Sequence, residues 1–164
     1  MPAVWAHRGS GCCSTTIRGI DAPATLAWAS RTGLLLMLVS QAVGVQMIVE
    51  GGNTFGDAGA LKVPHAFTLH AIQILPVLAV VLSLSALSEA SRLRILAVGA
   101  AGYAALIVST AVQTYRGEAP LDLGLLTSAL ALIGIGLLVI SGALAVRSLQ
   151  ARGRPTSPRV SANR

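Results

Sequence analysis

The residues best equipped for chemistry cluster on one apolar stretch: His65, Thr68, His70, Gln73 and Pro76. A histidine ring nitrogen ligates haem iron or a transition metal, and the ring relays protons near neutral pH. Glutamine adds donors and an acceptor. His70 and Gln73 are three residues apart, so on a helix they share a face. His65 and His70 are five apart, about 140° around a helix axis. Histidines three or four apart would suit one metal ion; these do not. Gln113, near the end of a later apolar stretch, is a further candidate. His70, Gln73, Gln113 and His65 are therefore the candidate binding residues, with haem or quinone as candidate cofactor. No nucleophile–base pair, phosphate loop or acidic metal cluster is visible, so no residue is assigned a catalytic role and the activity is read as non-enzymatic. Cys12 and Cys13 are adjacent, which rules out a disulfide framework, and with His7 they make a poor metal site.

The elements that carry these residues follow from composition. Of 164 residues, 54% are hydrophobic and only 11% charged, with a mean hydropathy of +0.72. A soluble domain carries roughly a quarter of its residues as charges, so this chain cannot coat a soluble globule of its size. Four runs are long enough to cross about 30 Å of hydrocarbon: about 26–49, 66–87, 93–115 and 123–146. They are too long and too uniformly apolar for barrel strands. The predicted fold is all-α, a polytopic four-helix bundle spanning residues 25–146. Residues 1–24 and the basic tail 147–164 are expected to be disordered cytoplasmic ends. The first 24 residues lack the pattern of a signal peptide.

Short connections make neighbouring helices antiparallel. Ten of the 12 basic residues then fall on the side of the termini and the 88–92 connection. Lys62 and Arg116 fall on the other, with Glu50, Asp57, Glu118 and Asp122. The positive-inside rule places both termini in the cytoplasm. The net charge of +6 is thereby explained without nucleic acid, as a topology signal that also attracts anionic lipid. The partners expected are the bilayer and either another membrane protein or a second copy.

The candidate residues lie toward the opposite, outer end. Counted from the start of the apolar run at Ala66, His70 is about 6 Å inside and Gln73 about 10 Å. Gln46, Thr110, Gln113, Tyr115, Thr127 and Ser128 fall in the same half, whereas Gln41 lies nearer the middle. Two readings remain open: hydrogen bonds holding the helices together, or a small polar cavity opening outward. The function classes are then a non-enzymatic accessory or small-molecule-binding protein, a membrane redox protein binding haem or quinone through His70, Gln73 and Gln113, and a transporter or channel component, for which no charged residue lies deep in a span to carry an ion. Pro76 removes a helix hydrogen bond and predicts a kink. The small residues Ala97, Ala101, Ala105 and Ser109, each four apart, predict the packing face of the third span, with Gly134, Gly136, Ser141 and Gly142 on the fourth and Ser40 and Gly44 on the first.

The run from Val63 to Pro76 contains the pattern His-x-x-x-x-His-x-x-Gln-x-Leu-Pro. With Gln113-Thr114-Tyr115-Arg116-Gly117 and Pro120 after the next span, it resembles a family of small bacterial four-helix integral membrane proteins of unassigned function. The resemblance covers about a third of the chain. It implies a bacterial inner (plasma) membrane location and no particular activity. Eleven arginines against one lysine agree with a GC-rich bacterial genome.

Overall fold

The structure, a computed structural model, describes residues 23–122 and 124–152. Its elements are α1 (Ala24–Val49), β1 (Thr54–Phe55), β2 (Gly59–Ala60), α2 (Lys62–Ser83), α3 (Glu89–Tyr115) and α4 (Leu125–Arg152). All four helices are long and apolar enough to cross a membrane. Their outward side chains are large and apolar: Leu35, Val77, Leu132 and Val139 are each more than 60% exposed. Such a surface suits helices that face hydrocarbon.

α1 and α3 end where their apolar runs end, at Val49 and Tyr115, but the other helix ends differ by two to six residues, because apolarity does not separate helix from turn. Leu84 to Leu87 are mostly apolar, yet they form the α2–α3 turn. The Ser85 hydroxyl donates to Leu82 O (2.6 Å) and Arg92 donates to Ser85 O (2.8 Å). Ser88 caps α3 by accepting from the Ser91 amide. α2 starts at Lys62, four residues before the apolar run, so Pro64 stands in its first turn, where no amide partner is lost. The helix runs on through Pro76. α4 extends through Arg152, so the first six residues of the predicted tail are helical. The disorder expected for residues 1–22 and 153–164 falls outside the described residues, as do Cys12, Cys13 and His7.

The contacts run in opposite directions along each consecutive pair. α1 meets α2 at Ser40–His65 and Gly33–Ile72. α3 meets α4 at Ser109–Thr127, Gly102–Gly134 and Gly99–Ser141. The helices are therefore antiparallel, and Ala24 and Arg152 lie at one end. The two hairpins α1–α2 and α3–α4 are the closest pairings, joined through α2 and α3; α1 and α4 share no packing of that extent. The assembly is an open one rather than a closed square.

The apolar core lies in the half nearer the termini: Ala29, Leu75, Ala79, Leu82, Leu96 and Ala145. There Glu89 accepts from the Thr25 amide (2.7 Å) and hydroxyl (2.6 Å). One carboxylate in the first turn of α3 thereby also closes the start of α1, favourably placed against both helix dipoles.

The other end is a polar cap. α1 and α3 both finish in a left-handed glycine, Gly51 (φ 68°) and Gly117 (φ 70°). In each, the two following-turn amides reach back to the last helical turn, Gly51 to Ile48 and Gly52 to Met47, then Gly117 to Thr114 and Glu118 to Gln113. The β1–β2 ribbon folds onto the end of α3. Ala58 N donates to Gly117 O (3.0 Å), and the Thr114 hydroxyl donates to Ala60 O (3.2 Å). Phe55 packs edge-on against Tyr115, whose hydroxyl donates to Gln46 Oε1 (2.7 Å).

The predicted packing stripe of α3 holds at Ser109, which bonds Thr127 O, but is displaced nearer the start of the helix. Ala97 and Ala101 are exposed; the buried face carries Leu96, Gly99, Gly102, Tyr103, Ser109 and Gln113. The alanines already face outward, whereas only a glycine lets the α4 backbone reach α3 at position 102, 2.8 Å from a would-be Cβ. Of the residues predicted on α4, Gly134 and Ser141 pack, whereas a Cβ on Gly136 or Gly142 would meet nothing within 4 Å.

Candidate functional site

The four candidate residues divide into three places. His65 faces α1. The Ser40 hydroxyl donates to His65 O (2.9 Å), and His65 Nδ1 donates to Ser40 O (2.8 Å). The ring lies over Gly44, whose missing side chain makes room for it. This reciprocal pair is a helix-to-helix clasp. His65→Ala should lower stability by about 0.6–2 kcal/mol for the lost hydrogen bond, measured by unfolding in mixed micelles. Ser40→Ala should add to that loss, because its hydroxyl donates to the His65 backbone carbonyl, which His65→Ala leaves in place.

Gln113 belongs to the cap. It is 4% exposed, and its Nε2 donates to Ala119 O (2.8 Å) in the α3–α4 connection. Gln46 is similarly engaged by Tyr115. The polar groups of α1 and α3 at the cap end thus serve largely as hydrogen-bond partners for neighbouring backbone and side chains.

His70 and Gln73 are different. Both are exposed, and they bond each other: His70 Nδ1 donates to Gln73 Oε1 (2.9 Å), the amide oxygen being able only to accept. That leaves His70 Nε2 and the Gln73 amide nitrogen outside the pair. α2 begins at Lys62, so the pair stands further along the helix than a count from Ala66 gives. At about 1.5 Å per residue, His70 is about 12 Å and Gln73 about 17 Å along a helix about 33 Å long. Gln73 therefore sits at mid-length.

Two hollows lie near this pair. The smaller, about 200 Å³, is lined by Ala66, Phe67, His70, Ile74 and Tyr103. The larger, about 440 Å³, is an open groove between α2 and α4, with Gln73, Val77, Val81, Leu138, Gly142 and Val146 among its walls. Ile74 borders both. Gly99 of α3 lies beneath, where Leu78 and Ser141 close over it. Tyr103 is fixed in place: its hydroxyl donates to Phe67 O (2.6 Å), and its ring lies 6.3 Å from that of Phe67, tilted 47°.

The structure therefore joins His70 to Gln73 and engages His65 and Gln113 elsewhere. Among the described residues no three His, Cys, Asp or Glu side chains converge on a common point. The groove residues on α4 were not anticipated. The α2 wall was legible, since His70, Gln73, Val77 and Val81 recur at three- and four-residue steps. Gly142 was marked only as a packing residue, and no local signal marked Tyr103.

No family model matches the chain, and neither a curated protein nor a solved structure shows significant similarity to it.

Proposed function

We propose that this chain is a four-span bacterial inner-membrane protein that binds a small apolar molecule, without catalysing a reaction, on the face formed by α2 and α4. The observation that carries this reading is the His70–Gln73 pair, exposed at mid-length of an otherwise apolar helix beside a groove of about 440 Å³. Polar groups facing hydrocarbon are costly and need a partner. Pockets of a few hundred Å³ with a few polar groups are typical ligand sites. The motif around His65, His70 and Gln73 that resembles small bacterial membrane proteins is consistent with this class. An accessory role beside a larger membrane protein is compatible with the same face.

The test separates site from scaffold. His70→Ala should leave stability within about 0.5 kcal/mol, as for exposed positions elsewhere, while reducing ligand retention through purification in mild detergent. Unchanged extracts from wild type and variant, compared by mass spectrometry of co-purified lipids, would remove the reading.

We place both termini in the cytoplasm. The antiparallel helices put Arg31, Arg92, Arg94 and Arg147 toward the end of the termini, against Lys62 and Arg116 at the cap. A green fluorescent reporter fused after Arg164 should fluoresce, and alkaline phosphatase fused there should be inactive. An active phosphatase fusion would invert the assignment.

A further inference from the structure

The outward face of α2 carries a stripe that the fold leaves uncovered. Ala66, His70, Gln73, Val77, Val80 and Leu84 follow one another at alternating steps of four and three residues. At about 100° per residue they fall within an arc of about 80°, along about 27 Å of helix. The contacts of α2 with its neighbours leave by other faces: His65 and Ile72 meet α1, and Phe67 and Leu78 meet α3. Val77 is 62% exposed and Val80 46%, and His70 and Gln73 are exposed on the same stripe. Alternation of three and four is the spacing of a seam between two helices that cross at a shallow left-handed angle.

An apolar stripe alone says nothing of what covers it; the amide in this one does. Gln73 stands about 17 Å along a helix about 33 Å long, at a depth where lipid offers neither donor nor acceptor. Its oxygen accepts from His70 Nδ1, which occupies one of two lone pairs, and its nitrogen lies outside that bond. The amide therefore keeps both a donor and an acceptor to offer. A second copy of the chain has the same topology, so its α2 runs parallel and brings its own Gln73 to the same depth. Across a two-fold axis along the membrane normal, two such amides complement each other.

We propose that two copies of this chain pair α2 against α2 along this stripe, with the two Gln73 amides bonded to each other across the axis. Each amide nitrogen donates to the other copy's amide oxygen. His70 is a positioning residue that holds the amide by its oxygen. Val77 and Val80 supply stiff, compact side chains to a contact that depends on close packing in lipid. The stripe borders the α2–α4 groove at Gln73 and Val77, so the second copy stands beside the open groove. The pairing shares with the reading above only the premise that α2 faces hydrocarbon.

The experiment uses the full chain, with Cys12 and Cys13 replaced by serine, in proteoliposomes of phosphatidylcholine. Single Val77→Cys and Val80→Cys variants should be cross-linked to dimers by copper phenanthroline. Leu35→Cys on α1 and Leu132→Cys on α4, at positions 65% and 70% exposed, should remain largely monomeric. Sedimentation equilibrium in density-matched detergent should show a monomer–dimer equilibrium. Gln73→Ala should weaken it roughly three- to thirtyfold, the worth of a hydrogen bond between helices in lipid. Gln73→Asn, which keeps an amide, should weaken it less. Helix content by circular dichroism should be unchanged, because these positions are exposed.

A wild-type chain that is monomeric throughout, or one cross-linked through Leu35→Cys or Leu132→Cys in preference to Val77→Cys and Val80→Cys, would overturn the pairing. A dimer of the same affinity in Gln73→Ala would overturn the bond between the amides. Co-purified lipids separate this failure from that of the ligand reading. A monomer that retains a ligand dependent on His70 overturns the pairing and leaves the groove as a site. A dimer dependent on Gln73 with no retained ligand supports the pairing and removes the ligand.

Discussion

Gly134→Val is expected to be the most damaging small substitution on α4, lowering unfolding free energy by about 1–3 kcal/mol or more. A Cβ at this position would lie 2.8 Å from the carbonyl oxygen of Gly102 and 2.8 Å from Leu106 Cγ. A side chain can rotate away, but a backbone carbonyl inside a helix cannot. The helices must separate, and the separation weakens contacts along the whole α3–α4 seam, including the Ser109 hydroxyl bond to Thr127 O. In lipid that loss is not offset by water expulsion, since helix association there depends on close packing. Gly136→Val is the matched control. It lies half a turn away, and its Cβ would meet nothing within 4 Å. The same added bulk on the same helix should change stability little. Unfolding of both variants in mixed micelles, followed by circular dichroism, reads the contrast. Equal effects would mean that Gly134 matters for helix propensity and not for approach.

The second large effect is expected at Gly59→Ala. A Cβ there would collide with the carbonyl oxygen of Thr114 and lie 2.7 Å from that of Phe55. Both obstacles are backbone, so the ribbon must lift from the end of α3. Lifting it breaks the Ala58–Gly117 and Thr114–Ala60 hydrogen bonds and parts Phe55 from Tyr115. The expected cost is about 1–3 kcal/mol, concentrated in the cap. Amide exchange should therefore accelerate from Asn53 to Leu61 and around Gly117, while the Leu75–Leu82 half of α2 keeps its protection. Uniform acceleration through all four helices would show that the cap is a nucleus of the whole fold and not a separable unit.

Much of the site was legible, but not its division of labour. Spacing alone put His70 and Gln73 on one face, and they bond. Spacing also turned His65 away from His70, and His65 indeed engages α1. What spacing could not supply was the partner of each face. Gln113 and Gln73 look alike in sequence, each a lone amide in an apolar run. One is buried against Ala119 O, and the other faces outward. The start of α2 differs from the start of the apolar run for a related reason. The helix start depends on the ribbon and on the Leu61 amide reaching Asn53 O, a contact across eight residues that hydropathy does not register.

The sequence by itself determined four helices long and apolar enough to span, and the crowding of hydrogen-bonding groups toward one end. Both are properties of local composition: the length of an uncharged run, and which residues flank it. The tertiary structure decided which faces meet. In a soluble helix the buried stripe is the apolar one, so periodicity reveals it. Here lipid and neighbouring helix are both apolar, and residues facing either look the same. Ala97 and Ala101 look as fit for packing as Gly99 and Gly102, yet only the glycines pack. The 11% of charge located the membrane-facing elements; shape, through a few absent Cβ atoms, decided how they fit and left the groove beside His70 and Gln73.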